Sequence, residues 1–212
     1  GSVSEIGVFP DRRRLASVGD DGTLRIWDLA TLTSKAITLS HEGLCSLAVS
    51  PDGRHVAAGN TSIYLCDSEQ AFSARELLRR EHTVESMAFS PDGQKLAAGT
   101  RYDEVCLLSL DGKVIKSVPC ASRIESLEFM PKQPFLLVPN RRAVAYDSRH
   151  GIAQLWRDDL SAVEREFDSS DAKRRADITM ARLSPDGKWI AGGGLYQSRM
   201  HLFDSATGRV VS

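Results

Sequence analysis

What this sequence of 212 residues lacks narrows it before any motif is read. Cysteine is scarce: Cys45, Cys66, Cys106 and Cys120 form no C-x-x-C pair and have no histidines at zinc spacing. Neither a disulfide framework nor a Cys/His metal module is therefore expected. Buried free thiols fit a reducing compartment, so a cytoplasmic location is the expectation. Asn60-Thr61-Ser62 matches a glycosylation sequon, but nothing else points to secretion. Aromatic residues are only 7% of the chain, a thin supply for stacking on single-stranded nucleic acid. Charge of one sign is missing too. With 27 basic and 28 acidic residues the net charge is −1, which gives no global pull toward nucleic acid or anionic membrane. No apolar run is long enough for a transmembrane helix, and no charged-then-apolar leader opens the chain.

Reactive chemistry is equally sparse. No nucleophile elbow, phosphate-cradling glycine loop or helix-borne metal pair occurs, and Gly192-Gly193-Gly194 reads as a turn. The histidines, His41, His55, His82, His150 and His201, are scattered along the chain. No catalytic residue, cofactor or metal site is assigned, and the chain is expected not to be an enzyme.

What the sequence does have is a returning turn. Ser50-Pro51-Asp52-Gly53, Ser90-Pro91-Asp92-Gly93 and Ser184-Pro185-Asp186-Gly187 are full copies; Phe9-Pro10-Asp11-Arg12 and Met130-Pro131-Lys132-Gln133 are weaker ones. Proline presets φ, aspartate tolerates the next position and glycine accepts a left-handed one, a hairpin between antiparallel strands. The prolines at 10, 51, 91 and 131 fall 40 or 41 residues apart, and Pro185 follows after 54. A fixed period near forty residues marks a repeat architecture. Between the turns run short alternating segments such as Thr23-Leu24-Arg25-Ile26-Trp27-Asp28, the period of a strand.

Leu15 to Asp28 resembles, nearly residue for residue, a blade of the WD-repeat (WD40) β-propeller family. The resemblance implies an all-β propeller of four-stranded antiparallel blades, five in this chain. One propeller domain over 1–212 follows, with blades at about 1–40, 41–80, 81–119, 120–157 and 177–212. It also implies that Ser17, Asp21 and Trp27 belong to a buried structural hydrogen-bond tetrad, whose histidine would precede residue 1. Cys66-Asp67, Leu108-Ser109 and Phe203-Asp204 take the Trp-Asp place in later copies. The fourth copy is the most degraded, with strands expected at 124–129, 135–138, 143–147 and 152–156.

The long 54-residue spacing places an insertion at 157–176. Ser161-Ala162-Val163-Glu164 reads as a capping box opening a short helix through Phe167, followed by the basic cluster Lys173-Arg174-Arg175. Connections between blades face partners in such propellers. Arg157, Glu164, Arg165, Lys173, Arg174 and Arg175 are therefore the candidate partner-binding residues. The expected function is a protein-interaction scaffold within a larger protein or complex. A channel-based enzyme or small-ligand sensor is the alternative, and a nucleic-acid-associated propeller comes third. A four-stranded blade needs a neighbour on each side, so further blades from a longer chain or another chain are expected partners, and no membrane is.

Overall fold

Each proline turn closes the way its side chains dictate. Around Pro51, the Ser50 hydroxyl accepts the His55 N–H at 2.8 Å and the Asp52 carboxylate accepts the Arg54 N–H at 2.9 Å. The same bonds recur at Ser90 and Asp92, and at Ser184 and Asp186. In the first copy Arg12 occupies the glycine place and adopts φ 58° itself, held by the Arg13 N–H to Asp11 bond of 2.8 Å.

The computed structural model describes residues 1–69, 73–101, 104–120, 123–141, 151–167, 178, 180–194 and 197–211. Blade one comprises β1 (Val3–Val8), β2 (Arg14–Gly19), β3 (Thr23–Asp28) and β4 (Thr33–Thr38). Blade two comprises β5 (Ser46–Val49), β6 (His55–Gly59), β7 (Ser62–Asp67) and β8 (Ala74–Arg79). Blade three comprises β9 (Val84–Phe89), β10 (Lys95–Thr100), β11 (Glu104–Ser109) and β12 (Val114–Pro119). Blade four follows with β13 (Glu128–Phe129), β14 (Phe135–Arg141), β15 (Gly151–Arg157) and β16 (Val163–Phe167). Blade five has β17 (Met180–Leu183), β18 (Trp189–Gly194) and β19 (Gln197–Asp204). Each is a consecutive antiparallel meander, so the chain is an all-β propeller of stacked sheets. In blade five, Val210 bridges Phe203 where a fourth strand would pair.

Hydrophobic burial lies between blades rather than within one centre. Four apolar layers alternate with the five sheets. Blade three shows why its strands read as nearly unbroken apolar runs. Leu96 and Ala98 of β10 pack toward blade two, while Ala97 between them, with Val105 and Leu107 of β11, packs toward blade four. A strand covered on both faces cannot alternate apolar with polar residues. The outer strands can: β12 is exposed over most of its length. The inner strands β1, β5, β9 and β13 pack successively against one another and wall the central channel, and β17 packs on β14.

The sequence reading fails in blade four. The strand that pairs with β14 is β15, read from the sequence as the fourth strand, while 143–147 lies outside the described residues; the expected helix from Ser161 is β16, whose residues pair with β15 from Ala153↔Phe167 to Trp156↔Val163. The cause is tertiary. Leu160 adopts φ 56° and its N–H reaches the Arg157 carbonyl, making a turn that feeds a sheet edge, and pairing outweighs the capping signal. Residues 163–167 are thus sheet, and the extra length of this repeat falls between β14 and β15 and after Phe167. Gly192-Gly193-Gly194, read as a turn, instead lies within β18.

Candidate interaction site at the channel

The turn bonds fix which way every strand runs, and hence what meets at the channel. Inner strands start at the face opposite the proline turns. There Glu85 of β9 is gripped by two guanidiniums, Arg101 just after β10 at 3.3 Å and Arg123 just before β13 at 2.6 Å. Arg123 also lies 3.7 Å from Glu125. The carboxylate side chains are nearly enclosed, 11% exposed for Glu85 and 12% for Glu125, while Arg101 and Arg123 remain 45% and 42% exposed. These largely enclosed acids thus hold cations in place at the channel mouth, with part of each arginine side chain open to solvent.

Deeper in, a cavity of about 220 Å³ is lined by Glu5, Ser86, Glu125, Ser126, Glu128 and Arg182, with Met87 and Leu127. These side chains also tie blades together. The Glu5 carboxylate accepts the Leu47 N–H of blade two at 2.6 Å, and Glu128 accepts the Leu183 N–H of blade five at 2.8 Å. Ser126 accepts the Ala181 N–H at 3.2 Å, and Ser86 donates to the Ile124 carbonyl at 2.9 Å. Glu5, Ser86 and Ser126 share one repeat position, five residues before the turn proline. Burial pushes the Glu5 carboxyl up to about 7; the Leu47 N–H and the charge of Arg182 draw it partly back. Glu128 is raised for the same leading reason.

These residues were missed in the sequence, although a signal existed. Glu85 and Glu125 each stand six residues before their turn prolines, and Cys45 holds that place in blade two. The Cys45 thiol reaches the Val84 carbonyl at 3.4 Å, and desolvation pushes it up to about 11. Cys66, Cys106 and Cys120 are buried free thiols, as read. A polar side chain repeated at one strand position marks a shared environment.

The residues singled out earlier fare differently. Trp27 Nε1–H donates to the buried Ser17 hydroxyl at 2.9 Å. Asp21 does not join them. It accepts the Thr23 hydroxyl at 2.7 Å and the Thr23 N–H at 3.0 Å and pairs with Arg25 at 2.9 Å, which hold its carboxyl down at about 2. A short exposed turn satisfies this carboxylate locally, so it does not enter the interior. Trp156 stands opposite Leu136 as Trp27 stands opposite Leu15, so blade four keeps the Trp place that the sequence reading had assigned to a fourth strand.

Arg157 and Glu164 are exposed and face each other at 3.5 Å across the β15–β16 turn, on the proline-turn face. Arg165 donates to the Ser205 carbonyl at 2.6 Å and so joins blade four to blade five. Lys173, Arg174 and Arg175 lie outside the described residues. Elsewhere, Arg14 pairs with Asp11 and stacks on Phe9, and Arg80 lies 2.9 Å from Glu104. Among the described residues no group of three or more His, Cys, Asp and Glu side chains could hold a metal, and no helix is long and apolar enough to cross a membrane.

Comparison with known proteins agrees with this architecture. Residues 1–28, 33–67 and 75–115 match the family model described as WD domain, G-beta repeat. No curated protein matches the chain. Among solved structures, Kuenenia stuttgartiensis hydrazine synthase superposes with a TM-score of 0.79 at 15% identity, over 98% of this chain and 64% of that one. At that identity the likeness is one of fold, and this chain spans less than two thirds of that protein's length.

Proposed function

Because its repeats and its stacked sheets place the chain in the WD-repeat family, we propose that it is a non-enzymatic scaffold that receives an acidic protein segment across the channel mouth. One observation carries this reading: Arg101 and Arg123 are fixed by the enclosed Glu85 yet stay nearly half exposed. A cation whose rotamer is already held loses little entropy on binding, and a guanidinium suits a carboxylate. β16 ends at Phe167, level with Ala153, so the chain leaves blade four toward this same face. Arg174 and Arg175, in the sequence that follows, are the candidate contacts with the partner's acidic groups. The R174E/R175E double variant should weaken binding to the captured partner at least tenfold with an unchanged melting temperature, measured by calorimetry and thermal unfolding; ten-fold corresponds to about 1.4 kcal/mol. Unchanged affinity removes those two residues, and turnover of a small substrate by the pure protein removes the scaffold reading.

Further blades are the second class of partner. The outer face of blade one exposes Ile6 and Val8, each 60% accessible, and that of blade five exposes Met180, Trp189 and Met200. Every other blade face is covered by a neighbouring sheet. Apolar faces of this kind mark contact surfaces. The chain alone should bind an apolar dye strongly, and the I6S/M200S variant should bind it several-fold less; dye binding no stronger than that of closed globular proteins would discard the proposal.

A further inference from the structure

Glu5 and Arg182 stand at opposite ends of the sequence, on the first inner strand and the last, yet both line one cavity. Each element around Glu5 presents a definite group. β5 presents the Leu47 N–H, and the Cys45 thiol, on which the Glu5 charge acts, stands just before that strand. β9 offers Ser86, with Glu85 beside it already ion-paired to Arg101 and Arg123. β13 supplies Glu128, the segment just before it Glu125, and β17 supplies Arg182. On its own sheet Glu5 is level with the apolar Val18. Arg182 is thus the one cation among the described residues lining the cavity, which it shares with the three carboxylates of Glu5, Glu125 and Glu128. Its charge acts on both Glu128 in the adjacent blade and Glu5 across the channel.

The outer faces of blades one and five are exposed, so among the described residues nothing on those faces holds the two end blades together. We propose that Glu5 and Arg182 form a charge tie across the channel that links the first blade to the fifth and sets the curvature of the arc, engaged when Glu5 is ionised and slack when it is protonated. This is independent of which partner the mouth receives. The Leu47 bond keeps one Glu5 oxygen anchored, leaving the second to respond to charge across the cavity.

The direction with pH follows from linkage. The folded carboxyl lies near 7, above its ordinary 4.5, so its stabilising contribution is full below about pH 4.5 and is lost as pH rises through about 7. Ionising Glu5 therefore tightens the tie at a cost in stability; the tie governs shape. Solution scattering of the native chain should show a radius of gyration that falls as pH rises, with a midpoint near 7. Glu5→Gln keeps an acceptor for Leu47 and should hold the low-pH value throughout. In ¹³C NMR of labelled glutamates, Arg182→Gln should move the Glu5 midpoint upward by about 0.5–1 pH unit, which a packing role would not do. Should Glu5→Gln fail to fold, Arg182→Gln alone carries the test through the same two measurements. A native radius indifferent to pH, or a Glu5 midpoint unmoved by Arg182→Gln, overturns the tie.

Discussion

Phe203→Ala should cost about 3–5 kcal/mol, the range for deleting a buried phenylalanine. The ring is fully buried in the layer between blades four and five. It meets Phe167 edge-on, with centroids 5.8 Å apart, and lies 6.2 Å from the His201 ring. Phe167 ends β16 and Phe203 lies in β19, so this pair joins the two blades where the inner strands contribute least; β13 is only two residues long. Truncation leaves a void in the layer that also holds Met130, Ile178 and Ile190, which rigid sheets cannot collapse to fill. In a stack of repeats the loss falls on one interface. Hydrogen exchange should therefore lose protection first over 180–194 and 200–204, while 84–109 of blade three keep theirs. Ile115→Ala on the exposed strand β12 should change stability by less than about 0.5 kcal/mol. Equal loss of protection in all blades would show instead that the stack unfolds as one unit.

How much of this was legible in the sequence depends on how local each device is. The serine–proline–aspartate turns were readable because their bonds close within five residues, Ser50 to His55 for example, and need nothing from elsewhere. Strands covered on both faces were readable as apolar runs. Blade four was not, because its rhythm was counted forward from Pro131, whereas its third strand is reached only at Gly151. Pro139, a residue that argues against a central strand, lies within β14 opposite Ala153. The capping box at Ser161 describes a preference that an available sheet edge overrules. The channel was the least legible part. Glu5, Glu128 and Arg182 come from three different repeats, and their meeting depends on the curvature of the stack, which no window of sequence contains. Only recurrence at shared repeat positions pointed there, Glu85 with Glu125 and Glu5 with Ser86 and Ser126.

Gly22→Ala should be the most damaging single-methyl change in blade one, and Gly93→Ala shows why. Both glycines have φ 69°, so an L side chain at either carries the left-handed cost of about 1–2 kcal/mol. A methyl at Gly93 meets only the Pro51 ring carbon at 3.9 Å, an ordinary contact. At Gly22 the methyl would overlap the Ser40 carbonyl oxygen, which is backbone and cannot rotate away. Gly22 also accepts the Leu39 N–H at 2.9 Å, so moving the Ser40 backbone breaks the bond that closes β3 onto β4. The overlap adds a cost of the kind seen on overpacking, bringing Gly22→Ala to above about 3 kcal/mol. Thermal unfolding of the two variants should thus separate conformational strain, present in both, from steric overlap, present in one. Equal destabilisation would mean that the Ser40 segment yields freely. In that case the turn from Asp21 would hold blade one through its side-chain bonds to Thr23 and Arg25 alone.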